Sequence, residues 1–420
     1  WDCHHWRDMC SVRVPMSSRK VEYAELSSLF LIQGAAMGMW FVPLSTLLDA
    51  RGLGAIKPFA YATTAVAALV SPLIFGGVAD RHMSPVRVLR WLAVATAGAM
   101  ALAALSIHLG WNRWLILALI QLHAFCSAPS FSISSSIVFA RLEDARKEFG
   151  PVRAMATLGW MVGCWLVSAL AADTSPVAGY SGAVAWLVVA AFTLWLPAVE
   201  PPKSDARLSW RERLGWDALA LLRNPDHRAV FVVAMLFCIP LAGFYPYAPT
   251  HLRDLGFQST TAWMSLGQVT EIIAMFGLGA LLTRWRLKWV FAVGLGFGVL
   301  RFLLSAMDGK GWLLAGVALH GASFTAVLIT AQIYLDQRVD VAWRVRAQAL
   351  FSWMNAGVGN LIGFLGGGAW FQACGNWPGA RWPLFWGGLA AGAGAVMAYF
   401  LIAYHGRGRI VRDTSHGKET

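Results

Sequence analysis

Apolar blocks long enough to cross a lipid bilayer recur along the whole of this chain. A membrane-spanning helix needs about 20 consecutive, mostly apolar residues. Blocks of that kind occupy residues 24–47, 55–78, 88–109, 112–138, 153–172, 178–197, 229–250, 261–282, 288–307, 311–334, 348–371 and 382–404. The pattern predicts an all-α membrane protein with twelve transmembrane helices.

Composition excludes an ordinary soluble domain. Hydrophobic residues make up 57% of the 420 residues and charged residues 13%, whereas soluble domains carry about 25% charged residues. Such a chain cannot cover itself with polar surface, so the lipid bilayer is its predicted surrounding. The six cysteines form no disulfide framework, and the spacing of Cys3, His4 and His5 fits no standard metal site. We therefore predict no metal and no cofactor.

Positive charge is distributed unevenly between the loops. Cytoplasmic loops retain Lys and Arg, and most of these residues fall around 81–90, 141–147, 203–228, 284–288, 338–346 and 407–418. The distribution predicts a cell (inner) membrane protein with both termini in the cytoplasm. The net charge of +12 is explained by this bias, so we predict no nucleic-acid partner.

One connection, residues 198–228, is long and polar, and it divides the predicted spans six plus six. We expect a cytoplasmic tail over 1–20, a six-helix bundle over 21–197, a cytoplasmic linker over 198–228, a second six-helix bundle over 229–405, and a cytoplasmic tail over 406–420. Helical spacing in WRERLGWDALALLRN predicts an amphipathic linker helix on the membrane surface. The stretch before Met16 is a candidate non-native extension.

Glu271 is the clearest polar residue at membrane depth. It lies in LGQVTEIIAMF, three residues after Gln268 and on the same helical face. A charge at the bilayer centre costs about 2.5–3.5 kcal/mol, so such residues usually face a cavity or a partner. Because burial disfavours the charged form of a carboxyl, Glu271 is the predicted proton carrier. The alternative is a carboxyl held by a hydrogen bond purely for packing.

A second polar face opens the fifth predicted span, where GPVRAMATLGW places Arg153, Thr157 and Trp160 at helical spacing. Arg153 either compensates Glu271 or contacts an anionic or polar group of the ligand. The alternative is that it extends to the cytoplasmic interface as a topology residue.

Further candidates are spread over three spans. Trp40 shares a face with small residues and can stack on a planar ring. Ser135 belongs to a serine-rich stretch that lines a cavity or lets helices approach closely. Thr325 is the predicted cavity-facing residue of the tenth span, and Arg301 is assigned to a structural ion pair.

Several stretches resemble the nucleoside:proton symporter family of the major facilitator superfamily. GGVADRHMSPVRVLR, with Gly76, Asp80 and Arg81, resembles the superfamily's conformational loop motif. QGAAMGMW, RAMATLGW and QVTE resemble the family's first, fifth and eighth spans. The resemblance implies two six-helix bundles with a central substrate site. It gives roles in substrate recognition and proton coupling to Arg153, Thr157, Trp160, Gln268 and Glu271, with Glu271 as the proton carrier. Gln33, Trp40, Ser135 and Thr325 complete the predicted set of substrate-binding residues.

Two departures from the family concern the ligand. Thr325 stands where the family has an acidic residue, and Ala242 and Tyr245 replace amides of its seventh span. We expect a monomeric secondary transporter that takes up nucleosides, or a related small hydroxylated solute, with protons by alternating access. A symporter of sugars or aromatic acids, or an exporter, remains the alternative. A membrane-embedded enzyme is remote because HExxH-like, GxSxG and phosphate-loop motifs are missing from the sequence.

Overall fold

The computed structural model describes residues 16–75, 84–142, 145–197 and 214–406. Within these ranges all regular structure is helical. The loop motif of Gly76, Asp80 and Arg81, both predicted tails up to residue 15 and from residue 407, and most of the linker lie outside the described residues.

The N-terminal half, residues 16–197, contains seven described α-helices. They are α1 (Met16–Phe41), α2 (Leu44–Ala50), α3 (Lys57–Phe75), α4 (Pro85–His108), α5 (Arg113–Arg141), α6 (Ala145–Ala169) and α7 (Val177–Phe192). Helix α2 continues α1 after a break at Val42 and Pro43, and a 3₁₀ turn, Gly54–Ile56, leads into α3.

The C-terminal half, residues 214–406, is more interrupted. Its α-helices are α8 (Pro225–Ala242), α9 (Phe244–Asp254), α10 (Thr260–Met264), α11 (Leu266–Arg284), α12 (Leu287–Ala306), α13 (Lys310–Phe324), α14 (Thr330–Arg338), α15 (Val341–Ser352), α16 (Asn360–Cys374) and α17 (Arg381–Ala403). Two π-helical turns, Thr325–Ile329 and Trp353–Gly359, join α13 to α14 and α15 to α16. Two 3₁₀ segments, Trp216–Arg223 and Pro378–Ala380, complete the half.

Among the described residues, nine helical stretches are long and apolar enough to cross a bilayer. A further apolar helix, Val177–Phe192, is shorter. The chain is therefore a multi-pass helical membrane protein, and the count of twelve crossings stays a prediction.

The described end of the linker packs against the C-terminal half. The described part of the predicted amphipathic helix forms a 3₁₀ helix, Trp216–Arg223. Gly215 precedes it with φ of 66° and lies against the backbone carbonyl of Arg346, so a side chain at this position would be both strained and obstructed. This end of the linker is thereby fixed to α15.

Glycines allow α1 and α6 to pack at backbone distance. Gly34 and Gly38 on α1 lie against the carbonyls of Ala156 and Trp160, and Gly159 on α6 lies against the carbonyl of Leu31. Small residues four apart are the usual basis of close helix association in membranes. The contact fixes the polar face of α6 beside α1. In the same way, Gly321 on α13 lies against the backbone of Glu271 and holds α11 in place.

Candidate functional site

A cavity of about 290 Å³ lies between the two halves. Helices α1, α5 and α6 form its wall on the N-terminal side, and α9 and α11 form the opposite wall. Its lining residues are Gly34, Met37, Phe131, Arg153, Ala156, Thr157, Trp160, Tyr245, Gln268 and Glu271. Both predicted polar faces, on α6 and on α11, therefore meet in one cavity.

Arg153 and Glu271 face each other from opposite halves. The Arg153 guanidinium lies 4.4 Å above the Phe131 ring and attracts the Glu271 carboxylate through space, although no ion pair shorter than 4.0 Å joins them among the described residues. Thr157 lines the same cavity as Glu271. Because the two charges are not in direct contact, each keeps hydrogen-bonding capacity for a molecule that enters the cavity.

Tyr245 connects the cavity to a buried polar chain. Its hydroxyl lies 3.1 Å from His320 Nε2 and accepts a hydrogen bond of 3.4 Å from Gln268 Nε2. His320 Nδ1 in turn lies 2.6 Å from Arg301 Nη1. The sequence analysis did not select His320 as a site residue. It wrongly assigned Arg301 to an ion pair, because in the described part of the chain no carboxylate lies within 4.0 Å of Arg301. The Arg301 guanidinium instead lies 4.0 Å from the centre of the Phe244 ring. A charged residue within a predicted span was the one signal available for Arg301.

Four predicted binding residues do not line the cavity. Buried Gln33 donates a hydrogen bond of 3.0 Å to Ser130, and the Trp40 ring packs 5.6 Å from that of His123. The Ser135 hydroxyl donates to the carbonyl of Phe131 on its own helix. Thr325 begins a π-helical turn, and its buried hydroxyl has no partner among the described residues. The binding roles of these residues stay predictions.

Two polar clusters join the halves at one end of the molecule, which we call the latch side. In the first latch, Lys57 Nζ donates to Asp49 Oδ2 at 2.6 Å and to Thr250 Oγ1 at 2.8 Å. The Thr250 hydroxyl donates to Asp49 Oδ2 at 2.7 Å. Lys57 is buried and Asp49 is partly exposed. Since Asp49 and Lys57 belong to the N-terminal half and Thr250 to α9, this latch ties α9 across the interface.

The second latch is formed by the end of α6 and the loop that follows it. Asp173 Oδ1 accepts a hydrogen bond of 2.7 Å from the backbone N–H of Thr261, and the Ser168 hydroxyl accepts one of 3.0 Å from the N–H of Ala262. Trp165 Nε1 donates to Ser265 at 2.9 Å. This latch ties α6 to α10 and the start of α11.

The opposite end is connected differently within the described ranges. There Arg141 pairs with Glu22 and Glu25, and Arg90 donates to Thr193, all inside the N-terminal half. The hydrogen bonds that the described residues form between the halves belong to the latch side. The structure therefore holds the halves together at one end of the central cavity.

Comparison with known proteins relates this architecture to one family. A family model described as "Nucleoside H+ symporter" matches residues 21–407. YegT of Escherichia coli strain K12 is 33% identical over 368 residues, which cover 83% of this chain and 84% of that protein. The nucleoside permease NupG of the same organism is 26% identical over 367 residues, covering 81% and 85%.

Solved structures agree on the fold. The crystal structure of the nucleoside transporter NupG superposes with a TM-score of 0.80 at 24% identity, over 91% of this chain and 98% of that one. The crystal structure of an auto-inhibited POT family peptide transporter gives a TM-score of 0.69 at 15% identity, over 95% and 98%. The arrangement of the helices is therefore shared well beyond close relatives.

Proposed function

The chain belongs to the nucleoside H⁺ symporter family, and from this premise we propose that it couples the entry of protons to the uptake of nucleosides. The observation that carries the proposal is the meeting of Arg153 and Glu271, from opposite halves, in one central cavity. Transporters of this architecture bind substrate and coupling ion near the midplane, between two bundles that rock against each other.

Twelve crossings in two six-helix bundles, over residues 21–197 and 229–405, are part of the proposal. The helices of the described residues and the superposition on NupG support this division. The excess of Lys and Arg in alternate loops supports an inner-membrane protein with both termini in the cytoplasm. Under this topology the latch side faces the outside of the cell, so the two latches close the outward-facing end of the cavity. A monomer is proposed because one chain supplies both cavity walls.

The cavity walls favour a planar ring over a plain sugar. Trp160 and Tyr245, with ring centroids 6.5 Å apart, present aromatic surface from the two halves, and Phe41 packs against both. Aromatic side chains interact with flat ligands by offset or edge contacts. Arg153, Thr157 and Gln268 supply hydrogen bonds beside this surface. A nucleoside, with a flat base and a hydroxylated ribose, matches both parts of the lining.

Glu271 is the proposed proton carrier. Its carboxyl is half-buried in the cavity wall, where a fixed negative charge is costly. Arg153 lies opposite Glu271 in the same cavity, and protonation removes the charge of the carboxyl before the halves close around it. A proton and a substrate that both favour the closed cavity couple to each other, because each then increases the affinity for the other.

Uptake of labelled uridine into proteoliposomes, with and without an inward proton gradient, tests this proposal. We expect the gradient to stimulate uptake by the wild-type protein. Glu271→Gln keeps the shape of the side chain without the titrating group, so it should bind uridine but lose the stimulation. Glu25→Gln is the matched control, because Glu25 is a carboxyl paired with Arg141 away from the cavity.

Two results would contradict the proposal separately. Folded wild-type protein that takes up no uridine under either condition would remove nucleoside transport. Gradient-stimulated uptake that is equal in wild type and Glu271→Gln would leave transport intact and remove Glu271 as the proton carrier.

A further inference from the structure

Arg301 lies at the buried end of the polar chain and sets its direction. Arg301 is 1% exposed, and its guanidinium has hydrogen-bond donors but no acceptor. The 2.6 Å contact with His320 Nδ1 is therefore a hydrogen bond from Arg301 to an unprotonated Nδ1. A neutral imidazole with an unprotonated Nδ1 carries its hydrogen on Nε2.

That tautomer decides the next contact. His320 Nε2–H can only donate, and the group 3.1 Å away is the Tyr245 hydroxyl, so the phenol oxygen accepts. His320 is held in this orientation by the Phe244 ring, which stacks on it at 4.8 Å, and it is itself buried. The Tyr245 hydrogen cannot point toward His320 and is left for another acceptor.

Tyr245 lines the central cavity, and among the described residues its hydroxyl has hydrogen-bond contacts to His320 and Gln268 alone, so its hydrogen is available to a molecule in the cavity. We propose that the Arg301–His320 pair makes Tyr245 an obligatory hydrogen-bond donor to the substrate. This selects a nucleoside that presents a carbonyl oxygen or an unprotonated ring nitrogen of its base to Tyr245. The inference rests on the proposed function and extends it from the class of substrate to the group that is recognised.

Acceptor-deleted nucleosides test the inference in proteoliposomes. Uridine is compared with 2-thiouridine and 4-thiouridine, in which sulfur replaces one carbonyl oxygen, and adenosine with 7-deazaadenosine, which lacks N7. Sites built around a hydrogen bond discriminate against analogues that cannot form it. We expect wild type to use at least one analogue roughly tenfold less efficiently than its parent, in line with about 1.4 kcal/mol for one such bond.

The readout is the ratio of the uptake efficiency of the parent nucleoside to that of its analogue. Variants can therefore separate the orientation of the Tyr245 hydroxyl from a general loss of transport, which lowers both efficiencies. Tyr245→Phe should lower this ratio to about one. His320→Leu should also lower it, since Tyr245 is then free to turn. His320→Gln should retain it, because an amide can accept from Arg301 and donate to Tyr245. His227→Leu is the control: it removes another buried His–Tyr contact, 2.8 Å to Tyr334, and should leave the ratio unchanged.

The outcomes are distinguishable. No uptake of any compound by folded wild-type protein would overturn the proposed function together with this inference. Uptake with a parent-to-analogue ratio that Tyr245→Phe does not change would overturn this inference and leave nucleoside transport intact. Wild-type ratios that are all about one would do the same. A His320→Leu ratio equal to that of wild type would show that Tyr245 donates without the help of His320.

Discussion

Removing Asp49 should open the latch side, because it leaves a buried ammonium without its counter-ion. The Lys57 side chain is 2% exposed and pairs with Asp49 at 2.6 Å. Breaking one partner of a buried pair costs about 3–5 kcal/mol, and we take the lower end because the Asp49 side chain is 23% exposed. An open state in which water reaches Lys57 avoids this cost. At about 1.4 kcal/mol per factor of ten, Asp49→Ala shifts the equilibrium toward that state by roughly 100-fold.

The reciprocal change should have a smaller effect. In Lys57→Met the Asp49 carboxylate remains partly hydrated and still accepts a hydrogen bond from Thr250 at 2.7 Å. An exposed charge that loses its partner costs at most about 1 kcal/mol. The double variant removes both charges, and replacing a buried pair by apolar groups is often close to neutral. It should therefore return toward the wild-type equilibrium.

Pulsed electron paramagnetic resonance between spin labels at positions 51 and 253 measures this equilibrium. Both native arginines are exposed, and they lie near the latch on opposite halves. Longer distances should appear strongly in Asp49→Ala, weakly in Lys57→Met and little in the double variant. Asp308→Ala is the control, because the 2.8 Å contact of Asp308 with His251 stays within the C-terminal half. If Asp49→Ala gives the same distances as wild type and Asp308→Ala, the latch does not hold the halves together.

Two other changes test the remaining contacts. Asp173→Ala leaves the N–H of Thr261 without its 2.7 Å acceptor, at a cost of about 1–3 kcal/mol. The spin labels at positions 51 and 253 should therefore move apart. Unchanged distances would show that the second latch contributes little to the stability of the closed arrangement. Gly159→Ala forces a methyl against the carbonyl of Leu31 and should lower the free energy of unfolding by roughly 1–3 kcal/mol or more, which a lower unfolding temperature in detergent would show. Gly98→Ala is the control, because its methyl enters open space. Equal unfolding temperatures for the two variants would contradict the packing of α1 on α6.

The cavity could be predicted in part because helical spacing is local information. Thr157 follows Arg153 by four residues and Trp160 follows Thr157 by three, while Glu271 follows Gln268 by three. Each set therefore occupies one helical face. Spacing does not say which faces meet. That depends on the backbone contacts at Gly34 and Gly159 and at Gly321, and small residues occur in this chain far too often to identify those contacts in advance.

Other residues show why helical spacing alone is insufficient to predict which side chains line the cavity. Trp40 lies on the same helix as Gly34, yet its ring turns to His123 instead of the cavity. His320 and Arg301 are 19 residues apart and on different helices, so local pattern could not join them. Asp49 and Lys57 lie at the adjoining ends of the first two predicted spans, where charged residues are ordinary. Their role depends on Thr250, which is 201 and 193 positions away along the chain.

The latches and the cavity share their supporting helices. Helix α9 carries both Tyr245 and Thr250, and α6 carries Arg153 near its start and Trp165 near its end. A movement of α9 that breaks the contact of Thr250 with Asp49 also displaces Tyr245 from its place opposite Trp160. Coupling between sites requires an element with two arrangements that both sites bias. Because α9 is short and follows a break at Gly243, we expect it to move as such an element, and we expect a ligand held between Tyr245 and Arg153 to stabilise the arrangement that closes the latch.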